Sequence, residues 1–210
     1  RLPGSGYYRS RSQADEHAGY FREFLKTFLS NPSSMINSSN AFFGPRRDLY
    51  LRPDDFSYKQ VVIVAHSLGA LVARRALLDS RMPRTQFVLF APAHNGSPWA
   101  KQSQTPGSCL AKAIINGVSV FAIPSVLSLD PDCKFLRTLE SDTNEAFVNG
   151  QREPIVASRT VFPQREYVVI SGPFGKDFAR EKPFTGHNHM NICKPKDGWL
   201  DPIDLVLKVL

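Results

Sequence analysis

Apolar positions along this chain follow two rhythms, one helical and one extended. Residues 15–30, DEHAGYFREFLKTFLS, put Tyr20, Phe21, Phe24, Leu25 and Phe28 on one side of a 3.6-residue repeat. Asp15 and Glu16 fall in its first turn, where carboxylates suit a helix N-terminus, and His17 falls on the solvated side. Residues 31–48, rich in Ser, Asn and Pro, predict a loop. Residues 59–65, KQVVIVA, are a continuous β-branched run, as expected of a parallel strand buried on both faces. From 67 to 80 the helical repeat returns, with Leu68, Leu71, Val72 and Leu78 inward and Arg74 and Arg75 outward.

A second buried strand is predicted over 85–93, TQFVLFAPA, ended by Pro92. Residues 98–130 have no steady period and form an apolar, lid-like excursion. Residues 131–149 predict a helix with Phe135, Leu136, Leu139 and Phe147 on its apolar side, and 154–161 and 166–172 predict two more strands. The closing DPIDLVLKVL predicts a helix with Asp201 as N-cap and Pro202 at the first helical position, where a missing N–H costs nothing. Without internal repeats, this order predicts one α/β domain over 1–210 with a mainly parallel sheet. In such sheets the loops leaving the carboxyl ends of strands carry the chemistry. Ser67 stands at such an end.

The stretch AHSLG, residues 65–69, has the form of a nucleophile elbow with Ala65 in place of the first glycine. A chain turning sharply from strand to helix holds its serine in a strained conformation that exposes the hydroxyl. The residues two before and two after the serine nearly touch, so both must be small, as Ala65 and Gly69 are. The Leu68 N–H, opening the helix, is placed to meet a developing oxyanion.

A serine hydroxyl needs a base to take its proton. His66 adjoins the serine and cannot turn back onto its hydroxyl, so it is expected to line the pocket. His94, in APAHNGS after the second strand, is expected near the mouth of the site. His187 and His189 share the polar loop TGHNHMNICKP, the kind of loop that supplies a base in an α/β sheet. The triad acid must lie between the serine and that loop. Asp177 is the favoured candidate, with Glu166 and Glu181 as alternatives.

Composition narrows the function further. The chain is 42% hydrophobic and 21% charged, an ordinary globular balance, with net charge +7. Its basic residues are scattered, with no basic helix or aromatic-interleaved stripe, which argues against nucleic acid. Peripheral attraction to anionic lipid headgroups fits the charge at least as well. Cys109, Cys133 and Cys193 are too few and too scattered for a disulfide framework or a zinc site, and no cofactor or metal is expected. The N-terminus has no apolar signal region, and the most apolar window, 109–127, is broken by Lys112, Asn116, Gly117 and Pro124, against a membrane span. These features favour an intracellular protein.

Three segments, AHSLGALVARRAL at 65–77, APAHNGSPWA at 91–100 and HMNICKP at 189–195, resemble lipase-like α/β-hydrolases of the serine active site-containing protein group. Inositol-deacylase-like esterases are related to that group. The resemblance implies an α/β-hydrolase fold and a Ser-His-acid esterase or lipase, with Ser67 as nucleophile. It also makes His189, rather than His187, the catalytic histidine. The family often carries an acidic residue where this chain has Asn188, and Ala93 is inserted in the second motif. The strand and glycine-bearing loop that give the family its second oxyanion donor are not apparent before residue 7. The chain is therefore expected to be an N-terminally truncated α/β-hydrolase, a fragment or a degenerate form. A catalytically incomplete module acting in protein or membrane interaction is the alternative function.

Overall fold

The computed structural model describes residues 14–38, 52–78, 85–98, 129–150, 156–175, 177 and 181–210. Among these the order is α1 (Ala14–Ser30), α2 (Pro32–Ser38), β1 (Val61–His66), α3 (Leu68–Leu78), β2 (Thr85–Phe90), α4 (Lys134–Val148), β3 (Arg159–Val161) and α5 (Asp201–Leu207). The three strands form one sheet in the order β1-β2-β3, parallel throughout, with helices against it, an α/β arrangement. Ala65 lies opposite Leu89 and His66 opposite Phe90, while Phe90 lies opposite Val161. The carboxyl ends of all three strands therefore meet along one edge.

β2 is buried on both faces, and its alternation divides the core. Phe87 and Leu89 join Ile63 and Ala65 of β1 and Ala70, Ala73 and Leu77 of α3. Val88 and Phe90 join Leu136 and Leu139 of α4 with Val161, Ile192 and Leu205. Each of the larger side chains among these (Val, Leu, Ile, Phe) contributes roughly 1.5–3 kcal/mol of transfer free energy. Small residues on α3 (Ala70, Ala73, Ala76) and on α1 (Ala14, Ala18) are also buried.

Several expectations are corrected. Within 31–48, residues Pro32–Ser38 are helical: Asn31 Oδ1 accepts the Ser34 N–H at 3.0 Å and Pro32 opens the helix, a start signal inside a loop-like composition. His17 is buried rather than solvated. Arg74, expected outward, is fully buried. In α5 Asp201 already belongs to the first turn, and Leu200 takes the cap position without a side-chain bond.

Of the strand expected over 154–161, the described residues 156–161 place Arg159–Val161 in the sheet, and the strand expected over 166–172 does not form. In the latter segment Val168 and Val169 donate their N–H groups to the Glu166 side chain at 2.7 and 3.2 Å, and Ile170 donates to Gly96 O at 2.9 Å. Those donors are then lost to a sheet ladder. The apolar excursion at 98–130, the window 109–127 and Cys109 lie almost entirely outside the described residues. Cys133 and Cys193 are both half-buried, and Cys193 is a free thiol. Among the described residues no helix is long and apolar enough to cross a membrane.

Candidate active site

β1 ends at His66 and α3 begins at Leu68, so one residue, Ser67, makes the turn. Its φ is +53°, a left-handed conformation that costs an L-residue roughly 1–2 kcal/mol. Backbone bonds hold it there. Ser67 N–H donates to Phe90 O at 3.1 Å, while Ser67 O accepts from Ala70 N at 3.1 Å and Ala93 N at 3.3 Å. Ala65 is buried beneath the turn. The Leu68 N–H lies at the start of an 11-residue helix, where the dipole favours negative charge.

His189 Nε2 lies 2.9 Å from Ser67 Oγ. Its other ring nitrogen, Nδ1, lies 3.0 Å from Oε2 and 3.2 Å from Oε1 of Glu166. An ionised carboxylate only accepts, so Nδ1 carries the proton and Nε2 is left to accept from the serine hydroxyl. The His189 and Glu166 side chains are 5% and 2% exposed. Burial alone would raise the Glu166 pKa, but hydrogen bonds from His189 and from the Val168 and Val169 N–H groups overcome it and hold the carboxyl below its usual range. Glu166 thus stays charged at neutral pH. Serine, histidine and glutamate form one hydrogen-bonded line, the order in which a proton can be drawn from a hydroxyl.

The loop bearing His189 is shaped by Asn188, whose Oδ1 accepts Met190 N–H at 3.0 Å and whose carbonyl accepts from Asn191 and Ile192. Ile192, fully buried, pins the loop to the core. An acidic residue at 188 could accept the same bond.

Asp177 is corrected: it is not the carboxylate on His189. Its oxygens accept from Arg74 Nη2 at 2.6 and 2.8 Å and from Ala157 N–H at 2.9 Å. Glu181, the other alternative, pairs with Arg159 at 2.8 Å. Glu166 is the one of the three whose carboxylate meets the imidazole.

His94 is likewise not at the mouth of the site. It is buried, stacked on Phe174 at 4.3 Å, and its Nε2 accepts from Arg74 Nε at 3.0 Å. Burial, then the Arg74 charge, pushes its pKa well down, so the ring is neutral and can accept. Around it, Ser97 Oγ donates to Val168 O at 2.5 Å and Gly96 O accepts from Ile170, which laces the loop after β2 to the segment carrying Glu166. His66 turns its Nε2 to the backbone carbonyl of His189 at 2.7 Å. His187 stacks on Trp199 at 3.5 Å, away from the serine line. A cleft of about 610 Å³ is walled by Phe184, His187 and Trp199 and includes none of Ser67, His189 or Glu166.

No family model, curated protein or solved structure matches this chain. The site therefore stands on its own geometry. Among the described residues no group of three His, Cys, Asp or Glu side chains is arranged to hold a metal ion.

Proposed function

We propose that the protein is a serine hydrolase acting on carboxylic esters, built on an α/β-hydrolase fold. What carries this is the line Ser67–His189–Glu166, set on a left-handed turn between a parallel strand and a helix. A serine held in the left-handed region costs stability, and the chemistry of the line gives that strain a use.

In this mechanism Ser67 Oγ attacks the ester carbonyl carbon while its proton passes to His189 Nε2. The carbonyl π electrons move to oxygen, and the Leu68 N–H at the start of α3 stabilises the oxyanion. Glu166 stabilises the imidazolium that forms. Collapse of the intermediate breaks the C–O bond to the alcohol, which leaves with the proton from His189. Water, deprotonated by the same nitrogen, then attacks the acyl-enzyme; the acyl–Oγ bond breaks, Ser67 Oγ takes the proton back from His189, and the acid is released. A net charge of +7 supports work on esters at an anionic lipid surface.

Labelling with a fluorophosphonate, whose phosphorus Ser67 Oγ would attack with loss of fluoride, tests the reading. Covalent label on Ser67 that is lost in Ser67→Ala and slowed in His189→Ala is expected. An unlabelled Ser67, in this chain and in one extended at its N-terminus, would leave the catalytically incomplete module as the better description.

A further inference from the structure

His66 closes β1, the strand that delivers the nucleophile, yet its imidazole is not turned toward the serine hydroxyl. Its Nε2 lies 2.7 Å from the main-chain oxygen of His189. A carbonyl only accepts, so Nε2 carries the proton and donates it, which fixes the tautomer of His66. The two imidazoles lie 4.8 Å apart and tilted by 47°. One hydrogen bond thus ties the strand carrying the nucleophile to the main chain of the base, without touching either reactive nitrogen of His189.

The loop around His189 has little else of this kind. Among the described residues, the other main-chain hydrogen bonds of 185–195 are local turns, running between 188 and 190, 188 and 191, 188 and 192, and 191 and 194. Asn188 and Met190 are exposed. Ile192 anchors the loop by burial, which is not directional. The His66 bond is directional and comes from a strand held in a parallel ladder. It is therefore the fixed point from which the His189 ring is aimed. Burial, and next the nearness of His189, push the His66 pKa down to about 4, so the aiming group is neutral where the base must accept a proton.

We infer that His66 is a positioning residue, whose Nε2–H holds the His189 main chain so that the base imidazole stays in line with Ser67. This rests on the hydrolase reading of Ser67, and its role is to keep two groups 122 positions apart in register. Misplacement of a reacting group by about 1 Å can cost on the order of 100-fold in rate.

Three substitutions test it. The amide nitrogen of His66→Gln reaches about as far as imidazole Nε2 and still donates. His66→Asn is too short to reach, and His66→Met fills the space without a donor. Two signals are read on each: the fluorophosphonate labelling rate at Ser67, and the NMR resonance of the His189 Nδ1 proton shared with Glu166. His66→Gln should label within about 3-fold of the parent and keep the proton signal. His66→Asn and His66→Met should label roughly 10- to 100-fold more slowly, with the signal broadened or lost. Parent-like labelling and signal in either the Asn or the Met variant, if it folds, overturns the proposal, as does a His66→Gln as slow as they are. If the parent itself is not labelled, the hydrolase reading fails, and the Nδ1 signal alone decides the role of His66. Its loss in the Asn and Met variants with retention in His66→Gln then supports the tie, and its persistence in them overturns it.

Discussion

The Asp177 carboxylate closes on the Arg74 guanidinium through bonds of 2.6 and 2.8 Å, at a point where the arginine side chain has no exposure to solvent. Phe174 and Phe87 stack near the cation at 4.9 and 5.4 Å, and His94 accepts from its Nε. This cluster joins α3 to the backbone at Ala157. Removing one partner of a buried pair leaves the other uncompensated, which costs about 3–5 kcal/mol. Asp177→Ala should therefore lower the urea midpoint strongly, while Arg74→Met combined with Asp177→Ala should recover part of the loss. A midpoint for Asp177→Ala close to the parent's would show that the pair is not holding α3.

The three candidate carboxylates now separate by experiment. Glu166→Gln removes the charge behind His189 and should lower kcat roughly 10³- to 10⁴-fold with the fold intact. Glu181→Gln breaks a half-exposed pair with Arg159 and should change kcat little, with a stability cost of about 0–1 kcal/mol. Equal losses of kcat in the two variants would contradict the assignment of Glu166.

Ser67 sits at φ +53°, which glycine adopts freely and other residues do not. Ser67→Gly and Ser67→Ala should both lose labelling, yet the glycine variant should be about 1 kcal/mol more stable than the alanine one. Chemical denaturation of the pair measures the strain directly. Equal midpoints would mean that the elbow stores none.

Acid should destabilise the protein well before its carboxylates titrate. An unfolded histidine takes up a proton near pH 6.5, whereas His66 resists until about pH 4. Between those values the unfolded chain binds more protons, so stability falls as pH falls. The His66 contribution is nil above pH 6.5 and amounts to a loss on the order of 3 kcal/mol by pH 4. His94, also pushed down by burial, acts in the same direction. Glu166, held below the ordinary 4.5, contributes stability above that pH which is lost as pH falls through its folded value. Urea midpoints from pH 7.5 to 4 should therefore decline, and His66→Gln should flatten part of the slope. A parent with no decline above pH 5 would contradict the burial of both rings.

What was legible in the sequence was what short-range pattern controls. The apolar run before Ser67 and the helical repeat after it are local signals, and both elements form close to where the periodicity puts them, although Val64 is exposed and β1 is not buried on both faces as its run predicts. His189 was legible through the motif around it. The carboxylate behind it was not, because Asp177, Glu166 and Glu181 look alike along the chain. They differ only in whether a distant arginine has claimed them, Arg74 in one case and Arg159 in another. The same cause misdirected Arg74 itself: its helical position predicts an outward side chain, and Asp177 and His94, brought in from elsewhere, help make its burial tolerable. The segment after β3 reads as a strand by composition, but Glu166 takes its backbone donors, a competition that periodicity does not record.

The serine's own peptide groups are occupied on both sides, with its N–H on Phe90 and its carbonyl shared by Ala70 and Ala93. Such a residue has almost no backbone freedom left to surrender. Under the proposed hydrolase function, the hydroxyl is aimed when the chain folds rather than when an ester arrives, so little ordering entropy at Ser67 would accompany substrate binding.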